Sequence, residues 1–408
     1  MSNSTKKVFL LADIGAGAND SYHVGDEAMF LQNLRNYQSA NVKVSASSRA
    51  ISHEGLGFEE VLDIYITSVP MLLKLIFCVY VLRYLNINFF PNFFRKTVQE
   101  LISSDLLHIS GGGNLNSLWP GHIYYRFFMI TLADVFGKEV ILTSQTIGPI
   151  TGNFHKFLLR RCFKKVKFLE VRDPEYSSDV LDKLGVNESK IQVVIDDAYN
   201  FETKTSPRIL DKFRGAAGKI KIGISMHDWS KSESFEKLKK VFSKLIQNYP
   251  NAYFFILPHN FNNKDKLDIV FMTRLIGKDM RNVGFFDYKI INSIVKESGS
   301  TPAEVVKLAT ANMNVVISSR YHGLVFALSS NVPALAINYD KYYSVKNNGL
   351  LNNLFSDITN YSVSISEIET TLSKFKRIVN NRKKIATELK WKNKKLIRKY
   401  ENKIHQIN

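Results

Sequence analysis

Ser319, Arg320 and His322, set in the run Val315-Val316-Ile317-Ser318-Ser319-Arg320-Tyr321-His322-Gly323, are residue types that can hold an anion and move a proton at one place. Arg320 offers a planar, permanently charged fork, and His322 a group that titrates near neutral pH. The three β-branched residues before them predict a short buried strand. Leu324, Phe326, Ala327 and Leu328 after them predict a buried helix with Gly323 in its first turn. A strand-to-helix turn of this kind aims N–H groups and a positive dipole end outward, which suits a phosphate or carboxylate. The structural alternative is that Arg320 pairs with a carboxylate and His322 caps the helix.

These residues need a scaffold, and the rest of the chain predicts one. Short apolar runs at Val8–Ala12, Val42–Ser45, Leu106–Ile109, Val140–Thr143, Phe168–Val171 and Val193–Ile195 alternate with helical segments. That is the pattern of a parallel sheet covered on both faces. The second half alternates again, with Ile220–Ser225, Tyr253–Leu257, Val315–Ile317 and Ala334–Asn338 as strands. The expected class is α/β, with two Rossmann-like domains facing across a cleft. The expected divisions are 1–201, 219–370 and a basic C-terminal helix over 371–408, with the polar stretch Glu202–Gly218 as linker.

In parallel sheets ligands bind outside the carboxyl ends of the strands. The first such turn runs from Asp13 to Ala28 and holds His23, Gly25, Asp26 and Glu27. Its Gly15-Ala16-Gly17 is a weak match to a dinucleotide fingerprint, because the third glycine is misplaced. Asp26 and Glu27 suit the first turn of a helix. Ser110-Gly111-Gly112-Gly113-Asn114 follows a strand, where glycines allow close backbone approach to a ligand. Ser144–Pro149 and Arg172-Asp173-Pro174 close two further strands.

Two segments stand out in composition. Ile64 to Gln99 contains no acidic residue, and Val69 to Phe94 carries seven aromatics. Lys74 and Arg83 interrupt this stretch, so it falls short of the ~20 apolar residues of a spanning helix. They also fall on opposite helix faces, which leaves no single polar face. The insertion 64–94 is therefore either a buried helix packed between domains or a hydrophobic wedge near a membrane. In the tail, residues 371–408 hold thirteen Lys/Arg against two Glu, a net of +11 within a total of +18. Ile378, Ile385, Leu389, Leu396 and Tyr400 predict one long surface helix there. With so much of the charge in one tail and no nucleic-acid motif, nucleic acid ranks below an anionic substrate or an anionic membrane. Cys78 and Cys162 predict buried thiols, and no secretory signal is visible, so a reducing cytosol is the expected compartment.

Taken in order, the turns resemble the polysaccharide pyruvyl transferase family. The elements are Gly25-Asp26-Glu27-Ala28, Ser110-Gly111-Gly112-Gly113-Asn114, Gln145-Thr146-Ile147-Gly148-Pro149, Arg172-Asp173-Pro174 with Ser177, and Asp196-Asp197-Ala198. Pro258-His259, Ser319-Arg320-Tyr321-His322-Gly323 and Tyr339-Asp340-Lys341 follow. The apolar insertion and the basic tail match poorly. The resemblance implies a fold like that of GT-B glycosyltransferases, with the acceptor on the N-terminal side and the donor on the C-terminal side. It implies transfer of a pyruvyl group from phosphoenolpyruvate to two hydroxyls of one sugar, as a cyclic ketal. Arg320 and His322 would then bind the donor and catalyse.

Ser319, Gly323, Gly112, Gly113, Asn114, Asp26, His23 and Lys341 are the expected substrate contacts. Asp13, His23, Asp26 and Asn114 are candidates for the base that takes the sugar proton. No cofactor and no metal are expected. The expected partners are phosphoenolpyruvate, a sugar acceptor (a lipid-linked oligosaccharide among the options), and an anionic membrane at the inner face of the cell. The alternatives are a GT-B-type glycosyltransferase using a nucleotide sugar, and a membrane-docked scaffold without turnover.

Overall fold

The computed structural model describes residues 6–16, 21–39, 42–47, 56–62, 64–203, 206–228, 232–261, 267–277 and 282–404. The chain forms two compact units. One comprises Met1–Gly17 with Met29–Asp197, and the other Ala18–Ala28 with Ala198–Ile407.

Each unit is an α/β layer structure built on a parallel sheet. The first sheet runs, edge to edge, Ile191–Val193, Phe168–Val171, Glu139–Ile147, Leu106–Ile109, Lys7–Leu11, Lys43–Ser47 and Glu59–Val61. The second runs Val283–Phe285, Tyr253–Ile256, Lys221–Ser225, Val315–Ser318, Ala334–Asn338 and Ser362–Ser364. Central strands buried on both faces explain the unbroken apolar runs, and Val315, Val316 and Ile317 are fully buried. Two Rossmann-like α/β units and a basic C-terminal helix were the expected class, and that class is what forms.

Several local readings change. Gly112–Leu115, expected as a glycine turn, is a short strand pairing Gly112 with Gln145 and Leu115 with Ile147. Glycines there free the backbone to bond along the end of the longer neighbour. The stretch read as a linker folds onto the second unit as a helix Pro207–Asp211 and a 3-10 turn Arg214–Ala216. Ile209 and Phe213 are buried, and the Phe213 ring lies 4.8 Å from that of Phe255. Residues 17–20 of the first turn lie outside the described residues.

The apolar insertion forms the helices Val69–Leu85 and Asn92–Ile102. Ser68 starts the first by accepting from Met71 N at 3.4 Å, and Asn86 ends it in the left-handed region. Leu72, Leu75, Cys78 and Val79 bury one face in the first unit's core, packed against the helix Pro120–Val135. The opposite face, with Leu73, Phe77, Tyr80 and Tyr84, is exposed, so the expectation of a buried helix holds for one face only. No helix among the described residues is long and apolar enough to cross a membrane.

The tail is a single helix, Thr371–Ile404. It is more than a surface helix, because Phe375, Ile378, Val379, Ile385 and Leu389 are buried. Asn393 anchors it, donating to Leu328 O at 2.8 Å and Asn331 Oδ1 at 2.9 Å. Cys78 and Cys162 are buried free thiols.

Candidate functional site

The strand Val315–Ser318 lies in the middle of the second sheet, and its carboxyl end delivers Ser319–Gly323 into the helix Tyr321–Ser329. Arg320 is the N-cap, in extended conformation and with no side-chain cap bond. The first N–H groups of the helix therefore have no side chain from the cap position to satisfy them. Gly323 is glycine for packing: a Cβ there would collide with Ser318 Oγ and sit against Ser225. Ser319 is fully buried, and its Oγ lies 2.8 Å from His227 Nδ1.

Arg320 grips Asp268 with two groups, Nε at 3.1 Å from Oδ2 and Nη2 against Oδ1. Asp268 is buried, and its Oδ2 also accepts from the backbone N–H of His259 at 3.0 Å and Asn260 at 2.9 Å. One carboxylate thus fixes the arginine and the Pro258-His259 turn together. The structural alternative for Arg320 is therefore realised for two of its nitrogens. Nη1 makes no hydrogen bond among the described residues, and the side chain keeps 21% of its surface exposed.

His322 is half-buried, and its ring lies against the backbone of Gly25 so closely that a Cβ there would overlap the imidazole. The neighbouring strand Ser21–His23 pairs antiparallel with Asn260–Phe261, placing His23 opposite Asn260, while Val24 N donates to His259 O at 3.1 Å. His23, Gly25 and Asp26, expected on the acceptor side, thus lie in the same unit as Arg320 and His322. Asp26 is half-buried in the first turn of the helix Val24–Ser39. Lys341 is exposed at the first position of the helix Lys341–Asn352.

Two further histidines complete the cluster: His259, named above only with Pro258 in the family resemblance, and His227, which neither spacing nor resemblance marked. His259 Nδ1 lies 2.8 Å from Ser225 Oγ and 3.2 Å from Leu257 O. A carbonyl only accepts, so Nδ1 carries the proton and Nε2 presents a bare lone pair. Burial, and then the charges of His322 and Arg320, lower the His259 pKa to about 3, so the ring is neutral at physiological pH. His227 is likewise held far below the ordinary histidine range, by burial and then by Arg320 and Lys346. Tyr339 donates from its hydroxyl to His227 O at 3.0 Å. Both histidines follow the carboxyl ends of parallel strands, so applying the strand-end rule to Lys221–Ser225 and Tyr253–Ile256 finds them.

Glu27 is fully buried and accepts from Ala303 N at 2.7 Å, at the start of the helix Pro302–Ala311. Burial pushes its pKa up to about 8.

In the first unit, Asn114 donates to Asp13 Oδ2 at 2.6 Å, and Arg126 and His122 bind the same oxygen. Burial alone would raise the Asp13 pKa, but the Arg126 and His122 charges hold it well below the carboxylate range. So strongly ionised a carboxylate has little affinity for a proton, which makes Asp13 a poor base. Gly112 and Gly113 are buried in the short strand beside this group.

Other strand ends in that unit are occupied by internal bracing. Arg172 pairs with Asp196 and donates to Thr146 Oγ1 at 2.9 Å, while Asp173 accepts from Ser177 Oγ at 2.7 Å. Asp197 accepts from Asn33 at 2.9 Å and from Thr143 at 2.7 Å. Among the described residues, no group of three or more His, Cys, Asp or Glu is placed to hold a metal ion.

The family model described as Polysaccharide pyruvyl transferase matches residues 58–341 of the chain. No curated protein matches the sequence. Among solved structures, Anabaena Alr3699/HepE in complex with UDP-glucose is 13% identical with a TM-score of 0.60, covering 98% of each chain. The S. aureus MnaA–UDP co-structure is 11% identical with a TM-score of 0.59, again over 98% of each chain. UDP-GlcNAc 2-epimerase from Neisseria meningitidis bound to UDP-GlcNAc is 12% identical with a TM-score of 0.57, over 94% of each. At such identities the likeness is one of fold, a chain of two Rossmann-like units of the GT-B type.

Proposed function

The chain belongs to the polysaccharide pyruvyl transferase family, and from that premise we propose that it transfers pyruvate from phosphoenolpyruvate to two hydroxyls of one sugar in a surface polysaccharide or its precursor. The supporting observation is the turn Ser319–Gly323, where Arg320 is fixed by Asp268 and His322 is held against Gly25. Phosphoenolpyruvate is a small donor with several negative charges. Arg320 Nη1, the start of the helix Tyr321–Ser329 and exposed Lys341 are groups that would bind it.

In the reaction a proton is added to the methylene carbon, and one sugar oxygen bonds to C2 as positive charge develops there. The second sugar oxygen then bonds to C2 as the C2–O bond to phosphate breaks. The two hydroxyl protons balance the one gained by carbon and the one leaving with phosphate. His322 delivers the proton to the donor and Arg320 stabilises charge on the departing phosphate. Ser319 and Gly323 shape the turn; His23 and Asp26 line its approach. Gly112, Gly113 and Asn114 serve the sugar.

No cofactor enters this reading. Its setting is the inner face of an anionic membrane, where a lipid-linked acceptor would be met. Incubation of a panel of methyl hexosides with phosphoenolpyruvate, read by acceptor mass and phosphate release, tests it. UDP-sugars run in parallel test the nucleotide-sugar alternative, since several proteins of like fold carry UDP or a UDP-sugar in their structures.

A further inference from the structure

We propose that the exposed face of the helix Val69–Leu85, continued by Phe89 and Phe93, is the surface by which this protein inserts into the headgroup boundary of an anionic membrane. The inference rests on the reading that the enzyme works at a membrane, and it assigns that contact to the first unit rather than to the basic tail. Leu73, Phe77, Tyr80 and Tyr84 recur at helical spacing and form one stripe, with Leu73 61%, Phe77 63% and Tyr84 76% exposed. Phe89 and Phe93, which follow in the chain, are likewise 59% and 58% exposed. Single exposed apolar residues are ordinary, but a contiguous patch marks an interaction surface.

The chemistry around the stripe selects lipid. At about 100° per residue, Lys74 and Arg83 fall on its two flanks. Both are exposed, able to lay their stems along apolar surface and their charges in the headgroups. Arg95 is exposed and donates from Nε to Phe90 O at 3.1 Å, while Lys96 is paired with Glu59 at 2.6 Å. From Ile64 to Gln99 there is no acid to oppose anionic lipid. The helix Asn153–Lys165, which also packs on Pro120–Val135, adds exposed Phe154, Phe157, Arg160, Arg161 and Lys164, and no acid. Tyr80 and Tyr84 stack with ring centroids 6.3 Å apart, amphipathic rings of the kind that settle at the membrane–water boundary.

The other face of the helix is core, so the element lies in the membrane plane rather than crossing it. A second copy seated on the same patch by a two-fold axis would oppose these cations to themselves.

The test is flotation of the purified full chain with vesicles of phosphatidylcholine alone or mixed with phosphatidylglycerol. The native chain is expected to float with the mixed vesicles. Phe77→Asp with Tyr84→Asp should weaken this by about tenfold or more, the scale of withdrawing two aromatic side chains from an apolar phase. Lys390→Gln with Lys394→Gln, in the tail, should change it little. Because an exposed Asp pair could still disturb folding, Phe77→Trp gives a second reading: its emission should shift to the blue and be quenched by brominated acyl chains beyond the native background. Flotation of the Asp variant at the native level overturns the assignment and leaves charge in the tail as the contact. Absence of flotation with either vesicle overturns membrane contact as well. A dimer in solution that the Asp pair dissolves would make the stripe a self-association surface instead. Phosphate release with a soluble acceptor, measured on the same variants, keeps the fate of the transfer reading separate.

Discussion

Gly25 and His322 are separated by nearly three hundred residues, and yet the backbone of the first lies so close to the imidazole of the second that a Cβ there would overlap it. Any side chain at position 25 would occupy the space of the ring. The glycine therefore sets where the proposed acid can stand. Gly25→Ala should leave a folded protein whose turnover falls by roughly 10²-fold, the scale of losing a positioned general acid. His322→Ala should fall as far, and the double variant little further, because both remove the same group. Losses that multiply in the double variant would show that the two act separately.

Arg320 and Asp268 make a second relationship, one between a fork and its anchor. Arg320→Lys keeps the charge and loses the fork, leaving the buried Asp268 poorly matched. Use of phosphoenolpyruvate should drop steeply with little change in apparent acceptor affinity. Thermal stability should fall too, by up to the roughly 3 kcal/mol of a broken buried pair. A collapse of acceptor affinity with donor affinity intact would place Arg320 at the sugar.

Glu27 gives a pH signature. Its pKa rises from 4.5 to about 8 on folding, so its contribution is full below about 4.5 and is lost as pH climbs toward 8. Glu27→Gln, neutral throughout, should flatten this decline, making the variant relatively more stable at pH 8 than at pH 5. Chemical denaturation at the two pH values checks it; parallel curves for the two proteins would show that Glu27 ionises normally.

Asp13 is bound by Arg126, His122 and Asn114. Asp13→Asn should strand the Arg126 charge, which is 3% exposed, and cost on the order of 3–5 kcal/mol. A variant with native melting temperature and lost activity would restore Asp13 as a catalytic candidate.

The strands were legible because β-branched and apolar runs buried on both faces leave few other outcomes, and the turn after Val315–Ser318 could be placed for the same reason. Asp268 was not legible: within a mostly apolar helix, Leu267–Ile276, nothing local marks it as the anchor of Arg320. Gly25 looked like part of a loose glycine-bearing turn, since its need for space comes from a ring far along the chain. The glycines of Ser110–Asn114 suggested a loop, whereas pairing with the end of Glu139–Ile147 draws Gly112–Leu115 into the sheet. Strand-end residues such as Arg172 and Asp196 carried the right chemistry for a ligand, but they satisfy one another. The apolar segment's two faces could not be separated by composition, because both are apolar and only packing distinguishes them.

The donor is the centre of the account, and titration calorimetry of phosphoenolpyruvate and of UDP-glucose into the native chain and Arg320→Lys tests it most directly. Phosphoenolpyruvate should bind the native chain, bind Arg320→Lys at least about tenfold more weakly for loss of the paired charge-assisted bonds, and UDP-glucose should give no heat with either. Binding of UDP-glucose to the native chain with none of phosphoenolpyruvate would contradict the account and make this a nucleotide-sugar enzyme.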